Sequence, residues 1–303
     1  MNVKVNVSNS NNDVNLNRKK NRSNISKKNN GFKIRKIKFT TLFSSIILFI
    51  VLLMALFPQY LTSYDPLELD MPNKLQGPSA DHWLGTDEYG RDIMARIIYG
   101  ARNTMYVGLG SSILAALIGI PLGLIAGYFG GIVDSIIMRI LDAFQSFPSM
   151  LLAILLITIF EPSPTALVIT ISVVNFARFS RIVRGNVLSL KEREFVEANK
   201  AFGAKTPYIL FRTILPNCIS SITVQFSLLT ATAILIEAGM SFIGLGIQPP
   251  KPAWGSMLFY ANKYLNNTVW YAIAPTATIF LVVLSINLFG DAMRDWFDPM
   301  KLK

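Results

Sequence analysis

The chain has 303 residues, of which 51% are hydrophobic and only 16% are charged. Because soluble globular proteins carry about 25% charged residues, this composition excludes an ordinary soluble domain and predicts an integral membrane protein. The formal net charge of +11 lies almost wholly in residues 1–38, which hold eleven Lys and Arg and one acid. No aromatic platform for stacking bases accompanies this charge, so nucleic acid is not an expected partner.

The charge distribution divides the chain into two regions. Residues 1–38 are rich in Asn and poor in apolar residues, which predicts a disordered basic cytoplasmic tail attracted to anionic lipid headgroups. Residues 39–303 are predicted to form one transmembrane domain. Since the chain has a single cysteine, Cys218, and a single histidine, His82, neither an internal disulfide nor a Cys/His metal site is predicted.

Apolar runs predict six membrane-spanning helices. The first run is longer than the core of a signal peptide and no cleavage site follows it, which favours an uncleaved span over a signal peptide. Basic residues cluster in the tail and at 178–212, whereas 61–100 holds three bases against seven acids. The positive-inside rule therefore places both termini and 183–216 in the cytoplasm, with 61–100 and 241–268 outside. The predicted spans are 39–57, 103–129, 132–160, 165–182, 219–240 and 269–289.

The second span carries a ladder of small residues that includes Gly119, Gly123 and Gly127. Residues four apart share one helix face, so this ladder predicts close helix packing, either within the bundle or against a span that slides during transport. Pro121 is expected to loosen or kink the helix.

Four charged residues lie in or near the later spans, where charge is costly unless it is neutralised or functional. Asp134, Arg139 and Asp142 are expected to snorkel or to pair near the cytoplasmic end. Glu237 is expected to be either a hydrogen-bonded structural carboxylate or a substrate contact.

The segment 186–216 is polar and helix-favouring, although it lies between apolar spans. Phe195, Ala198 and Phe202 fall on one face of a short predicted helix, and Gly203 stands where a left-handed helix cap is expected. Thr206-Pro207 favours the start of a second helix. Two short helices with a glycine elbow would suit a groove on a partner, although an ordinary solvated loop remains the alternative.

The residue order in this segment resembles the cytoplasmic signature of ABC importer permeases: Glu-Ala-Ala, three residues, Gly, and a later Ile/Leu-Pro. The chain departs from the pattern at one position, where Asn199 replaces the second alanine. The resemblance implies that the segment docks in a cleft of an ATPase subunit, with charges setting the register and Ala201 and Phe202 filling the groove. The matching residues are Glu197, Ala198, Asn199, Gly203, Leu215 and Pro216.

Three further segments resemble the branch of these permeases that serves peptides and nickel, in particular its C-type subunit. They are residues 82–92, residues 241–250 with Trp254, and residues 287–295. The resemblance implies an all-α polytopic membrane protein with six transmembrane helices and the type I ABC importer permease fold. It also assigns Asp87, Arg91, Asp92 and Trp254 to the external mouth or to contact with a binding protein, although Asp87, Arg91 and Asp92 could equally pair for structural reasons.

The same resemblance implies half of a pore in a bacterial or archaeal cell membrane. A second homologous permease, two ATPase subunits and an extracytoplasmic substrate-binding protein would complete the importer. ATP and Mg²⁺ would bind to the ATPase subunits, because Gly203-Ala204-Lys205-Thr206 lacks the glycines of a phosphate-binding loop. No catalytic residue and no metal ligand are expected in this chain.

The sequence gives less support to two other classes of function. An ion-driven secondary transporter would show an inverted repeat and acids near the midplane, and a membrane enzyme would show catalytic His, Cys or paired acids. Neither pattern is evident. Di- or oligopeptides are the favoured substrate, because no Met, His and Cys cluster indicates a path for bare metal, and nickel or a metal chelate remains the alternative.

Overall fold

The computed structural model describes residues 39–297, and the predicted basic tail at 1–38 lies outside them. Within these residues the chain is almost entirely helical, with one isolated bridge between Thr86 and Asp92. Shorter helical turns cover Pro58–Leu61, Met71–Asn73 and Thr206–Tyr208, and a π-helical turn covers Ile209–Ile214. The main helices are α1 (Phe39–Leu56), α2 (Ile93–Phe129), α3 (Gly131–Gln145), α4 (Ser149–Ile157), α5 (Pro164–Leu190), α6 (Glu194–Ala201), α7 (Leu215–Phe242), α8 (Trp254–Lys263) and α9 (Trp270–Phe297).

In the described part of the chain, five helical stretches are long and apolar enough to cross a membrane. They rise to six if α3 and α4, which are bent by 84° at their junction, count as one broken span. The predicted span over 132–160 is therefore made of two helices with a sharp bend between them. Pro148 has no N–H to donate and disfavours a helical residue before it, so α3 ends at Gln145 and α4 restarts at Ser149.

The helix α2 begins ten residues earlier than its apolar run suggests. The Asp92 carboxylate accepts a hydrogen bond from the N–H of Ala95 and caps the helix. The polar side chains in its first turns reach backbone carbonyl groups outside the helix: Arg96 donates to Pro66, Arg102 to Ala55 and Asn103 to Pro252. Because these donors are satisfied by tertiary contacts, the helix extends beyond the hydropathy boundary.

The glycine ladder of α2 packs against α5 of the same chain. A methyl group added to Gly123 would lie 2.5 Å from the Ser180 carbonyl oxygen, and one added to Gly119 or Gly127 would lie 2.7 Å from a side-chain atom of α5. The structure thus shows the packing interpretation within one chain, and α2 is a single helix through Pro121. This close approach fixes α5, whose last residues lead directly into the polar segment at 191–214.

Candidate functional site

The polar segment that joins α5 to α7 begins with the short helix α6. Glu194 and Glu197 lie in its first turn and Lys200 lies in its last turn. This order places negative charge at the positive end of the helix dipole and positive charge at the negative end, which stabilises a helix too short to be stable alone. The predicted first helix is therefore present, with bounds Glu194–Ala201.

The glycine elbow has the geometry of a Schellman motif. Gly203 has φ = 77°, a left-handed conformation that favours glycine, and its N–H donates to the Lys200 carbonyl oxygen at 2.9 Å. The N–H of Ala204 donates to the carbonyl oxygen of Asn199 at 3.0 Å. These two bonds satisfy carbonyl groups at the end of α6 and reverse the chain toward the next helical turn.

Val196 attaches α6 to the rest of the domain. Its side chain is fully buried in an apolar cluster that includes Val187 of α5 and Ile209 and Ile214 of the π-helical turn. The sequence interpretation missed this residue, because it took the face with Phe195 as the apolar one. The signal available in the sequence was Val196 itself, a β-branched apolar residue next to Phe195 in an otherwise polar helix.

The face predicted to carry Phe195, Ala198 and Phe202 points away from the domain. All three are exposed, and Phe202 at the elbow is 90% exposed. Glu197 and Ala201 are exposed as well. The helix α6 is attached through a buried valine and presents aromatic and charged groups outward. Because large exposed apolar side chains mark contact sites, this arrangement is typical of a docking element.

Asn199 connects α6 to the chain that follows the elbow. Its side-chain amide donates to the Phe195 carbonyl oxygen at 2.9 Å and to the Thr213 hydroxyl oxygen at 3.3 Å. An alanine at this position could make neither bond. The departure from the family pattern therefore adds a hydrogen bond between α6 and the π-helical turn.

We expect Asn199→Ala and Thr213→Val each to loosen α6, because either change removes the same inter-helix hydrogen bond, which contributes about 0.5–1.5 kcal/mol. The measurement is hydrogen exchange of the α6 amides in the detergent-solubilised protein. The double variant should loosen α6 by less than the sum of the single effects. Additive effects would show that the two side chains act separately.

The return to the membrane runs through Leu215 and Pro216, at the start of α7. Proline lacks the N–H that would continue the helical ladder of the preceding turn, and its ring crowds the carbonyl groups before it. The turn just before Pro216 is π-helical over Ile209–Ile214, a widening that occurs where a regular helix is interrupted. Pro216, the proline of the family pattern, thus lies directly after this distortion at the start of α7.

Charged contacts join this end of the domain to α2 and α3. The Lys200 ammonium lies 5.7 Å from the centre of the Tyr128 ring, at the end of α2. The Asp134 carboxylate accepts two hydrogen bonds from the Arg184 guanidinium of α5, and Asp142 pairs with Arg181. The predicted pairing thus occurs for both acids of α3, and their partners lie on α5.

The segment 82–92 forms a second cluster, at the opposite end of α2. The Asp87 carboxylate accepts a hydrogen bond from the Arg91 Nε at 2.6 Å and lies 3.3 Å from the Nε of Arg96. All three side chains are buried. Because Gly90 (φ = 77°) packs against the Asp70 carbonyl oxygen, the loop closes tightly around this charge cluster.

Burial and internal pairing describe the positions of Asp87, Arg91, Asp92 and Trp254. Asp92 caps α2 and also lies 3.0 Å from the Nδ1 atom of His82, a partner the sequence did not reveal. The Trp254 indole N–H donates to the carbonyl oxygen of Ile97 at 3.0 Å, and its ring is fully buried. The four side chains are buried within their own chain and hold the segment together, and a role at the external mouth or in contact with a binding protein stays a prediction.

Different side chains are exposed on this segment. Trp83 is 68% exposed and Tyr89 is 44% exposed, although both lie beside buried residues of the charge cluster.

Among the expected intramembrane charges, Glu237 is fully buried and accepts a hydrogen bond from the Ser241 hydroxyl at 2.8 Å. This geometry is that of the hydrogen-bonded structural carboxylate.

Within residues 39–297, no group of three or more His, Cys, Asp or Glu side chains is arranged to hold a metal ion. Cys218 is free and buried in the apolar cluster around Val196.

The family model of the binding-protein-dependent transport system inner membrane component matches residues 119–303. The dipeptide transport system permease protein DppC of Alkalihalophilus pseudofirmus is 46% identical, over 82% of this chain and 82% of that protein. The glutathione transport system permease protein GsiD of Pectobacterium atrosepticum is 44% identical over 84% and 86%. The oligopeptide transport system permease protein OppC of Bacillus subtilis is 38% identical over 84% and 83%.

Among solved structures, a chain of the MetNI methionine ABC transporter in an inward-facing conformation is similar. It has a TM-score of 0.57 at 19% identity and covers 68% of this chain and 98% of that one. The likeness shows a shared fold, and the apolar helices described above make the protein a multi-pass membrane protein. The family match covers more than half of the chain and the relatives match along most of their length, so the chain belongs to the binding-protein-dependent transport system inner membrane components, the permease subunits of ABC importers.

Proposed function

We propose that the chain is the permease subunit of an ABC importer for di- or oligopeptides, and that it forms half of the translocation pore. Support for the substrate comes from the relatives named above, which are dipeptide, oligopeptide and glutathione permeases. Nickel, the alternative from the sequence, is not favoured by these relatives. A second homologous permease would supply the other half of the pore.

The observation that carries the coupling role is the position of α6. Its buried edge at Val196 joins it to α5 and to the π-helical turn, while Phe195, Ala198 and Phe202 face outward. A force applied to this exposed face would pass to α5 and to the π-helical turn through the Val196 contact and the hydrogen bond between Asn199 and Thr213. We infer that the face enters a cleft on an ATPase subunit, whose affinity for α6 differs between its nucleotide states and thereby biases the permease.

This arrangement requires that α6 and both chain termini lie in the cytoplasm, with the segment 82–92 outside. Support comes from the basic residues around α6 and the acidic excess in 61–100. ATP and Mg²⁺ would bind to two partner ATPase subunits, and an extracytoplasmic binding protein would deliver the peptide. Trp83 and Tyr89, exposed on the outer segment, are the side chains that we assign to contact with that protein.

The function is tested by reconstituting the chain with its ATPases, the second permease and the binding protein in lipid vesicles. We expect ATP-dependent accumulation of a radiolabelled dipeptide that competes with unlabelled tripeptide and not with nickel ions. Accumulation of nickel with no peptide uptake would contradict the proposal.

The double variant Glu197→Arg, Gly203→Pro tests the coupling segment. Proline cannot adopt the positive φ of residue 203 and removes the N–H that closes the elbow, while arginine reverses a charge on the exposed face. We expect uptake to fall to background while the protein still inserts at normal levels. Transport at the level of the unmodified chain would remove the docking role from this segment.

A further inference from the structure

An open cleft with both apolar and polar lining residues lies between α5 and α7, on the side of α5 opposite the glycine ladder. Its volume is about 460 Å³, and Gln145 at the end of α3 lines it near the bend between α3 and α4. Because residues three and four apart share a helix face, the lining residues form one stripe on each long helix. They are Arg178, Arg181 and Ile182 of α5, and Gln225, Leu228, Leu229 and Thr232 of α7.

The cleft contains an uncompensated positive charge. Arg181 pairs with Asp142 of α3, whereas none of the hydrogen bonds or ion pairs within residues 39–297 involves the Arg178 guanidinium. Arg178 is exposed and lies four residues before the end of the predicted span at 165–182, near the end of the domain proposed to be cytoplasmic.

Polar groups beside Arg178 also lack partners. The Gln145 amide nitrogen is buried and donates no hydrogen bond within the described residues, and Gln225 is buried in the same wall. A surface with a free guanidinium and the unsatisfied Gln145 amide nitrogen cannot face hydrocarbon without a large cost, so it must face water, another protein or a polar solute. An unpaired guanidinium is a preferred ligand for carboxylates, which it binds through two parallel hydrogen bonds.

We propose that this cleft is a contact site for the C-terminal carboxylate of the peptide as it crosses the membrane. Arg178 binds the carboxylate, while the amides of Gln145 and Gln225 bind the adjacent peptide group. The site requires a free carboxylate rather than a particular side chain, which suits a permease that passes many peptides. This inference rests on the proposed peptide function and deepens it by naming the chemical group of the peptide that the permease binds.

The test compares uptake of a dipeptide with uptake of the same dipeptide carrying a C-terminal amide. The complete importer is reconstituted in vesicles, and the binding protein is saturated with either peptide, so that a change between permease variants reports on the permease alone. Arg178→Gln should lower the acid-to-amide uptake ratio about tenfold, because hydrogen bonds to charged groups contribute about 1.5–3 kcal/mol. Arg178→Lys keeps the charge and should keep most of the preference.

Arg139→Gln is the matched control, since Arg139 is also an exposed arginine but lies on α3 beside a different cleft. Its uptake ratio should stay within about twofold of the original, a change smaller than about 0.4 kcal/mol. Vesicles of phosphatidylcholine alone and vesicles that also contain phosphatidylglycerol should give the same result. A ratio change that requires the anionic lipid would show that Arg178 binds a lipid phosphate and would overturn the proposal.

Two further outcomes contradict the inference. An unchanged acid-to-amide uptake ratio in Arg178→Gln would show that Arg178 does not bind the carboxylate. The Arg178→Gln variant could fail to co-purify with the other subunits while Arg178→Lys assembles normally. That result would show that Arg178 pairs with an acid of the second permease. Failure of the unmodified importer to take up any peptide would instead refute the proposed function, so the two failures are distinguishable.

Discussion

Replacing Phe202 by aspartate is expected to uncouple the importer. The side chain is 90% exposed at the elbow after α6, so its removal costs the fold of the chain little. An exposed aromatic group that inserts into a partner's groove typically contributes 2 kcal/mol or more, which corresponds to a roughly thirtyfold loss of affinity for the ATPase. The measurement is co-purification of the ATPase subunits with the variant permease, together with peptide uptake in vesicles.

Tyr60→Asp is the control for this change, because Tyr60 is 79% exposed and lies on a short turn after α1, away from α6. It should leave ATPase association unchanged. If Phe202→Asp retained full association with the ATPase, the exposed face of α6 would not be the docking surface. A fall in the membrane level of the permease itself would assign Phe202 a structural role that the described contacts do not show.

Gly90→Ala is expected to prevent stable folding of the segment 82–92. The residue has φ = 77°, and an added Cβ would lie only 1.7 Å from the Asp70 carbonyl oxygen, so the backbone of one of two adjacent loops must move. The left-handed conformation alone costs about 1–2 kcal/mol for alanine, and the collision raises the expected loss above about 3 kcal/mol. The thermal unfolding midpoint of the solubilised permease measures this loss.

Gly244→Ala provides the comparison, because Gly244 has φ = 84° but nothing lies within 4 Å of its added Cβ. This variant should lose only the conformational cost of about 1–2 kcal/mol. Equal unfolding midpoints for the two variants would show that the contact with Asp70 does not constrain the loop around Asp87 and Arg91.

Much of the fold could be predicted from local patterns. Apolar length located the membrane helices, and the small-residue spacing at Gly119, Gly123 and Gly127 identified a close-packed face, because both depend only on residues near one another in sequence. The break at Pro148 was missed, since an apolar run does not reveal whether it is one helix or two. The early start of α2 was missed because its polar residues are satisfied by distant carbonyl groups.

The candidate site was predicted unevenly. The elbow at Gly203 was predicted correctly, because its conformation follows from one residue type at one helix end. The attachment through Val196 was not, since the partners of this side chain lie on α5 and on the chain after the elbow. For Asp87 and Arg91 the sequence left contact with a binding protein and structural pairing equally open, because only the folded loop shows that these two side chains are buried and that Trp83 is exposed.

The sequence by itself determined the class of the protein, the number of apolar segments, the helical polar segment with its glycine elbow, and the family. These features follow from composition, periodicity and residue order along short stretches. Only the tertiary structure decided which face of α6 is buried, which charges are paired and which are free. The pairing of Arg181 and Arg184 with acids of α3, and the absence of a described partner for Arg178, depend on how α3, α5 and α7 pack, because an ion pair or a cavity exists only where distant segments meet.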